Sequence, residues 1–269
     1  MHGFIPPARY YAYKTWQEIR DLPDKANVPL ILPIGSIEQH GPHLPVAVDS
    51  ALTLGVIGEA LARLPNDNPA LCLPPLYYGK SVEHDGFPGT ITLTANTLTT
   101  LLMEIGEQAY VSGFRKLVLV NGHGGQPEIL RIAARDLHVK YRDYHCWHLF
   151  IWDVPNKIND LLSPKEAAIG IHAGDAETSL MMKLLPDTVH MDRAEASWPA
   201  ERRADQLTYF IGRLTKAWTT QDISHNGVVG DPTPATLTKG EQILDQLASG
   251  WVRVFEEIHR WPSHEQHAR

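Results

Sequence analysis

Residues 116–139 read KLVLVNGHGGQPEILRIAARDLHV, and this stretch decides the fold. Lys116 to Val120 reads as a buried strand, NGHGG as a turn, and Glu128 to Val139 as a helix. Strand, glycine-rich turn and helix in that succession predict an open α/β sheet. Ligands of such sheets bind at the carboxyl ends of the strands. His123 sits in that turn among glycines that let a ligand approach the backbone closely. By itself the turn fits equally well a histidine that only donates to a neighbouring carbonyl.

A second strand-to-loop passage lies upstream. Leu30 to Asp49 reads LILPIGSIEQHGPHLPVAVD. Val28 to Ile34 is apolar on consecutive positions, as in a strand covered on both faces of a parallel sheet. It empties into a segment holding Glu38, His40, His43 and Asp49, with Gly35, Gly41, Pro42 and Pro45 between them. Carboxylates and imidazoles are ligands for zinc, manganese or iron(II), and the Gly/Pro punctuation lets a short segment fold them towards one point. Glu38 and His40, two apart, share a face if the chain is extended there. Asp49 fits either a ligand or the cap of a helix beginning at Ser50. His43 has the weakest claim and fits a loop brace.

Around these two passages the chain punctuates itself. A short helix is expected near Thr15 to Arg20, a helix from Ser50 to Leu64 ended by Pro65, and short strands at Leu71 to Leu73 and Thr90 to Leu93. Ala95 to Ser112 has helical periodicity. Tyr144 to Trp152 reads as a strand with blurred alternation, Pro155 to Gly170 as an inserted loop and helix. HAGDAETSLMMKLLP opens a helix that stops at Pro186, and Lys239 to His259 is a closing amphipathic helix. Without repeats or a linker, residues 1–269 are expected to form a single domain.

Composition narrows the function classes. The 269 residues are 43% hydrophobic and 20% charged, as in globular proteins. With 24 Lys+Arg against 31 Asp+Glu, the net charge of −7 offers no general attraction to nucleic acid or anionic membranes. Cys72 and Cys146 form no CxxC pair, which points to a reducing compartment and away from a thiolate zinc site. The N-terminus has neither a basic n-region nor an apolar h-region, and no run of about 18 apolar residues follows. A cytoplasmic protein is expected. No GxSxG elbow and no GxGxxG is present, which argues against a serine hydrolase and a dinucleotide fold.

Further side chains complete the candidate set. His172, Asp175 and Glu177, in HAGDAETS, are candidates for proton transfer, although a first-turn Glu also favours the helix macrodipole and Asp175 also fits a cap. His84, in EHDGFPGT, is placed to orient a substrate, Tyr78 and Trp152 to wall a pocket, and Gly124 to leave the backbone open to a ligand.

Taken together, LPIGSIEQHGPHLPVAVD, EHDGFPGTI, VNGHGG, HAGDAETSLM and GVVGDPTPAT, in that order, resemble the creatininase family of metal-dependent amidohydrolases. The resemblance runs from about residue 30 to about residue 240. It implies a three-layer α/β/α domain with a mainly parallel sheet, two divalent metals per subunit (zinc or manganese, with iron(II) also suitable) and commonly a hexamer built from dimers. Glu38, His40, Asp49 and His123 match family metal ligands, Asp49 being the carboxylate that bridges both ions, and Glu177 is the candidate to complete the ligand set of the second ion. Creatininase proper has a Tyr and then a ligand Glu after the His of the turn, where this chain has Gly124 and Gly125. That departure points away from creatinine as the substrate. The expected chemistry is hydrolysis of a non-peptide C–N bond, in a cyclic amide or formamide, by metal-bridging hydroxide. The alternatives are a formamidopyrimidine deformylase, a peptidase that trims a modified peptide as the mycofactocin-associated members do, and a binding protein that has lost the chemistry.

Overall fold

The computed structural model describes residues 1–212 and 214–262. Among these, four strands form one parallel sheet in the order β2-β1-β3-β4, with β1 at Pro29–Ile34, β2 at Leu71–Cys72, β3 at Lys116–Asn121 and β4 at His145–Phe150. The helices are α1 (Trp16–Arg20), α2 (Val48–Arg63), α3 (Ala95–Val111), α4 (Pro127–Lys140), α5 (Pro164–Ile169), α6 (Asp175–Leu184), α7 (Thr220–Ile223) and α8 (Leu237–Arg260).

The unbroken apolar runs of β1 and β3 are explained by burial on two sides. Leu30, Leu32, Ile34, Leu117 and Leu119 point into a core shared with α3 and α4, where Leu98, Leu102, Leu130 and Leu137 meet them. Ile31, Val118 and Val120 point the other way, into a core built with α2, α6 and α8. Along α8, Ile243, Leu247, Trp251, Phe255 and Ile258 recur at three- and four-residue spacing and form its buried stripe. The result is the layered α/β/α arrangement expected, and no described helix is long and apolar enough to cross a membrane.

The connections decide where a ligand can bind. From β1 the chain crosses through α2 on one face to β2, while the crossovers through α3 to β3 and α4 to β4 lie on the opposite face. The winding therefore reverses between the neighbours β1 and β3, and a crevice opens at their carboxyl ends. Both motif loops leave the sheet there.

Thr90 to Leu93 does not join the sheet. It stays extended, but Ile91 N donates to Ile37 O at 2.9 Å and Leu93 N to Gly79 O at 2.8 Å, so its backbone is satisfied by the loop after β1 and the loop after β2. β4 is half-buried along its whole length, which accounts for its blurred alternation at the sheet edge.

Candidate metal centre

The loop after β1 doubles back on itself: Glu38 N donates to Val46 O at 3.0 Å and His40 bridges to Leu44, with Gly41 at φ +68° making the reversal. That fold brings Glu38 and His40 back towards Asp49. Asp49 lies inside the first turn of α2, behind the N-cap Ala47, so it does not cap the helix. Its carboxylate instead accepts the hydroxyl of Ser36 and benefits from the positive end of the helix. The NGHGG turn is clamped by Asn121, whose side chain accepts His123 N at 3.1 Å and donates to His123 O at 2.8 Å.

Four side chains, three from the passage after β1 and one from the turn after β3, thereby converge. His123 Nδ1 lies 3.0 Å from Glu38 Oε2 and 3.1 Å from Asp49 Oδ2, while His40 Nε2 lies 3.3 Å from Asp49 Oδ1 and 4.0 Å from Glu38 Oε1. Glu177, in the first turn of α6, completes the far side with Oε2 3.9 Å from His40 Nε2. Its other partner is the N–H of Ala173, at 2.6 Å, a residue held at φ +54° between His172 and Gly174. A left-handed alanine costs roughly 1–2 kcal/mol, and here the turn it makes aims Glu177 inward.

His84 and His172 also reach the cluster. His84 Nε2 is 3.2 Å and His172 Nδ1 3.9 Å from Glu38 Oε1. Their outward nitrogens fix what the inward ones carry. His172 Nε2 faces the carbonyl of Gln39 at 2.8 Å and the Gln39 side-chain amide nitrogen at 3.0 Å; donating to the nearer carbonyl leaves a lone pair on Nδ1 facing the cluster. The amide nitrogen of Gln39 lies 2.8 Å from His84 Nδ1 and donates there, so His84 presents Nε2–H to Glu38.

Burial and mutual attraction displace the titration of most of these groups. Burial works against the charge on Glu38, but His123 and His84 hold its carboxyl well below the usual range. Burial likewise opposes charge on His40, yet Asp49, Glu177 and Glu38 raise it to about 9. His123 rises well above its ordinary value against burial, driven by Glu38, Asp49 and Glu83. Burial raises Glu177 to about 7 despite His40 nearby. His172 is held well below the usual imidazole range by burial and by His40 and His84.

Two observations test whether divalent ions fit. Glu38 Oε2 and His40 Nε2 are buried without any hydrogen-bond partner, although groups of opposite charge stand within 4.0 Å. Buried polar atoms are almost always paired, and donors that face one another out of hydrogen-bond geometry are what a ligand set presents. Glu38–His40–Asp49, His40–His172–Glu177 and Glu38–His84–His172 each also bring ligand atoms within 4.8 Å of one another. Oxygen and nitrogen donors without thiolate suit zinc, manganese or iron(II).

The remaining expectations divide. Trp152 and Gly124 line the cavity above the cluster, which measures about 1190 Å³, together with Phe150, Phe210 and Trp218. Tyr78 does not line it and is half-exposed. Asp175 is turned away: its carboxylate is bound by Lys239 Nζ and by Ser179 Oγ, the latter at 3.1 Å. His43 bonds Thr178 Oγ1 at 2.9 Å and braces the loop. Sequence reasoning missed Ser36, Gln39 and Glu83, although the first two lie within the β1 motif and Glu83 adjoins His84.

Comparison with known proteins agrees with this geometry. The sequence model of the creatininase family, described as creatinine amidohydrolase, matches residues 12–255. A mycofactocin precursor peptide peptidase of Mycolicibacterium smegmatis is 35% identical over 237 residues, covering 87% of this chain and 86% of the relative. The creatinine amidohydrolase of Pseudomonas putida is 35% identical over 257 residues, covering 90% and 94%. A solved structure titled "Creatininase Mn" superposes with a TM-score of 0.76 at 28% identity, covering 94% of this chain and 99% of that one. The chain belongs to the creatininase family.

Proposed function

We propose that this chain is a two-metal amidohydrolase that cleaves a C–N amide bond in a substrate of short-peptide size. The observation that carries the reading is the buried convergence of Glu38, His40, Asp49 and His123, with unpartnered ligand atoms, at the floor of a cavity of about 1190 Å³. Glu38, His40, Asp49, His123 and Glu177 would hold the ions. Bound divalent ions supply Lewis acidity and make water a nucleophile near neutral pH.

The chain's own groups do the rest. Ser36 and the first turn of α2 orient Asp49, and His84 Nε2–H steadies Glu38. His172 carries its lone pair on Nδ1 towards the reaction centre, takes the proton released by the attacking water and delivers it to the leaving nitrogen. Asp175 has no part in this, being neutralised by Lys239.

Cavity size discriminates between substrates. Sites for small molecules commonly measure about 300–1,000 Å³, so a lone cyclic amide or formamide would leave much of this space to water. Aromatic walls and the absence of a side chain at Gly124 favour a longer occupant. The similarity to a peptide peptidase supports the same choice, while the similarity to creatinine amidohydrolase keeps the small cyclic amide as the second reading. A single domain, a cytoplasmic setting and a homo-hexamer belong to the same proposal.

The test reconstitutes the metal-free protein with zinc, manganese or iron(II) and follows amine, ammonia or formate release from short peptides, lactams, hydantoins and formamides. Metal-dependent turnover best with peptides supports the proposal. Full activity without metal, or in a His123→Ala variant that has lost an ion, refutes it.

A further inference from the structure

We infer that Glu83 is a positioning residue for His123: its carboxylate accepts Nε2–H and thereby turns Nδ1, as a lone pair, towards the gap between Glu38 and Asp49. The inference rests on the reading of His123 as a metal ligand and adds a residue that the ligand set does not contain. Glu83 stands in a single helical turn, Val82–His84, beside the cavity, with its side chain 14% exposed. Its Oε1 lies 2.9 Å from His123 Nε2, on the side of the ring opposite Glu38 and Asp49. The carbonyl of Lys80 accepts from the same nitrogen at 3.1 Å, and Ser81 Oγ lies 3.4 Å from it, so Nε2–H is shared among oxygens of which only the Glu83 carboxylate is charged.

An imidazole has one N–H to place when neutral, and the partner of the outer nitrogen decides which nitrogen keeps it. The Lys80 carbonyl accepts only an Nε2–H, while Glu38 and Asp49 attract the proton to Nδ1, so the neutral oxygens around Nε2 leave the choice contested. A carboxylate on Nε2 tips that choice, because a charge-assisted hydrogen bond is roughly twice as strong as a neutral one. The ring then offers its lone pair where the two other ligands converge. It is the carboxylate–histidine–metal arrangement, which raises ligand basicity and holds ring orientation.

Residue 125 supplies an independent observation. A Cβ built on Gly125 would fall inside the Glu83 carboxylate and crowd His123 Nε2 at 2.5 Å. Glycine at 125 is thus the condition for Glu83 to reach His123, whereas at Gly124 the space beside the backbone is open. The two adjacent glycines have different reasons: one clears room for a protein side chain, the other for the cavity's occupant.

The experiment measures zinc affinity by competition with a chromogenic chelator, and the His123 tautomer by ¹⁵N NMR of the zinc-loaded protein. Wild type is expected to show an Nε2-protonated, Nδ1-coordinating ring. Glu83→Ala should weaken one zinc site about 10–100-fold while leaving two ions bound at saturation, and Glu83→Gln, which keeps an acceptor without the charge, should recover part of the loss. Gly125→Ala should resemble Glu83→Ala. An Nδ1-protonated His123 in wild type, or unchanged affinity in Glu83→Ala, overturns the inference, and the wild-type spectrum decides even if a variant fails to fold. Loss of one ion in His123→Ala separates the two levels: if that variant keeps both ions, the metal assignment itself is wrong, and if it loses one while Glu83→Ala does not weaken, only the positioning role falls.

Discussion

Loading the metal-free protein with zinc at pH 8 is expected to expel about two protons per chain. Asp49, Glu177 and Glu38 raise His40 to about 9 against the opposing effect of burial, and Glu38, Asp49 and Glu83 lift His123 well above its ordinary range in the same way. His40 is therefore mostly protonated at pH 8 and His123 is displaced in the same direction, and each proton so held must be given up to offer a lone pair. Glu38 and Asp49 are held below their usual values and release nothing. His172 is neutral throughout and releases nothing either. At pH 6, Glu177, which burial raises to about 7, is mostly protonated and adds nearly one more proton if it coordinates. The overall association constant for two ions should thus climb by about two powers of ten per pH unit near pH 8 and nearly three near pH 6. Titration calorimetry in buffers of different ionisation enthalpy reads the count directly, as the slope of observed heat against buffer heat. A slope near zero at both pH values would show that neither imidazole coordinates, and equal slopes would remove Glu177 from the ligand set.

Three further outcomes follow from the same geometry. Chelation should lower the Tm by roughly 5–10 °C for each ion held at a hundredfold excess over its Kd, since that excess is worth about 2.7 kcal/mol; a Tm indifferent to EDTA in calorimetry contradicts a structural contribution from metal. Gly124→Ala meets no protein atom within 4 Å, so its stability should stay within about 0.5 kcal/mol of wild type while KM rises for any substrate lying over the turn. Unchanged kinetics would take position 124 out of the binding surface. Lys239→Met strands the buried Asp175 carboxylate and should cost about 3–5 kcal/mol in denaturant unfolding with metal stoichiometry intact, whereas lost metal would tie Asp175 to the centre after all.

How far the sequence could be read depended on whether the deciding contact was local. β1 and β3 are legible because a strand buried on both faces must be apolar at every position, and the loops that follow them carry their ligands within a few residues. Thr90 to Leu93 has the β-branched composition of a strand, but the Thr90 and Thr92 hydroxyls serve Gln39 N and Ser81 N, contacts that composition cannot announce. Asp175 and Glu177 look alike in HAGDAETS. Two residues apart on a helix they are about 200° apart around its axis, so only one can face the centre, and Lys239, which claims the other, comes 64 residues later. Tyr78 sits near the right motif in sequence, yet its ring is left outside the cavity. Glu83 was hidden beside His84 because its significance depends on Gly125, on a different loop.

The reversal of winding between β1 and β3 has an evolutionary corollary. Every proposed ligand, proton carrier and wall residue hangs from one rim of the sheet, and most of the apolar packing lies behind it, between the layers. Substitutions on the rim change what is turned over; substitutions behind it change how much folded protein there is. Lineages sharing this scaffold can drift from one amide to another through loop changes alone, without having to rebuild their cores along the way.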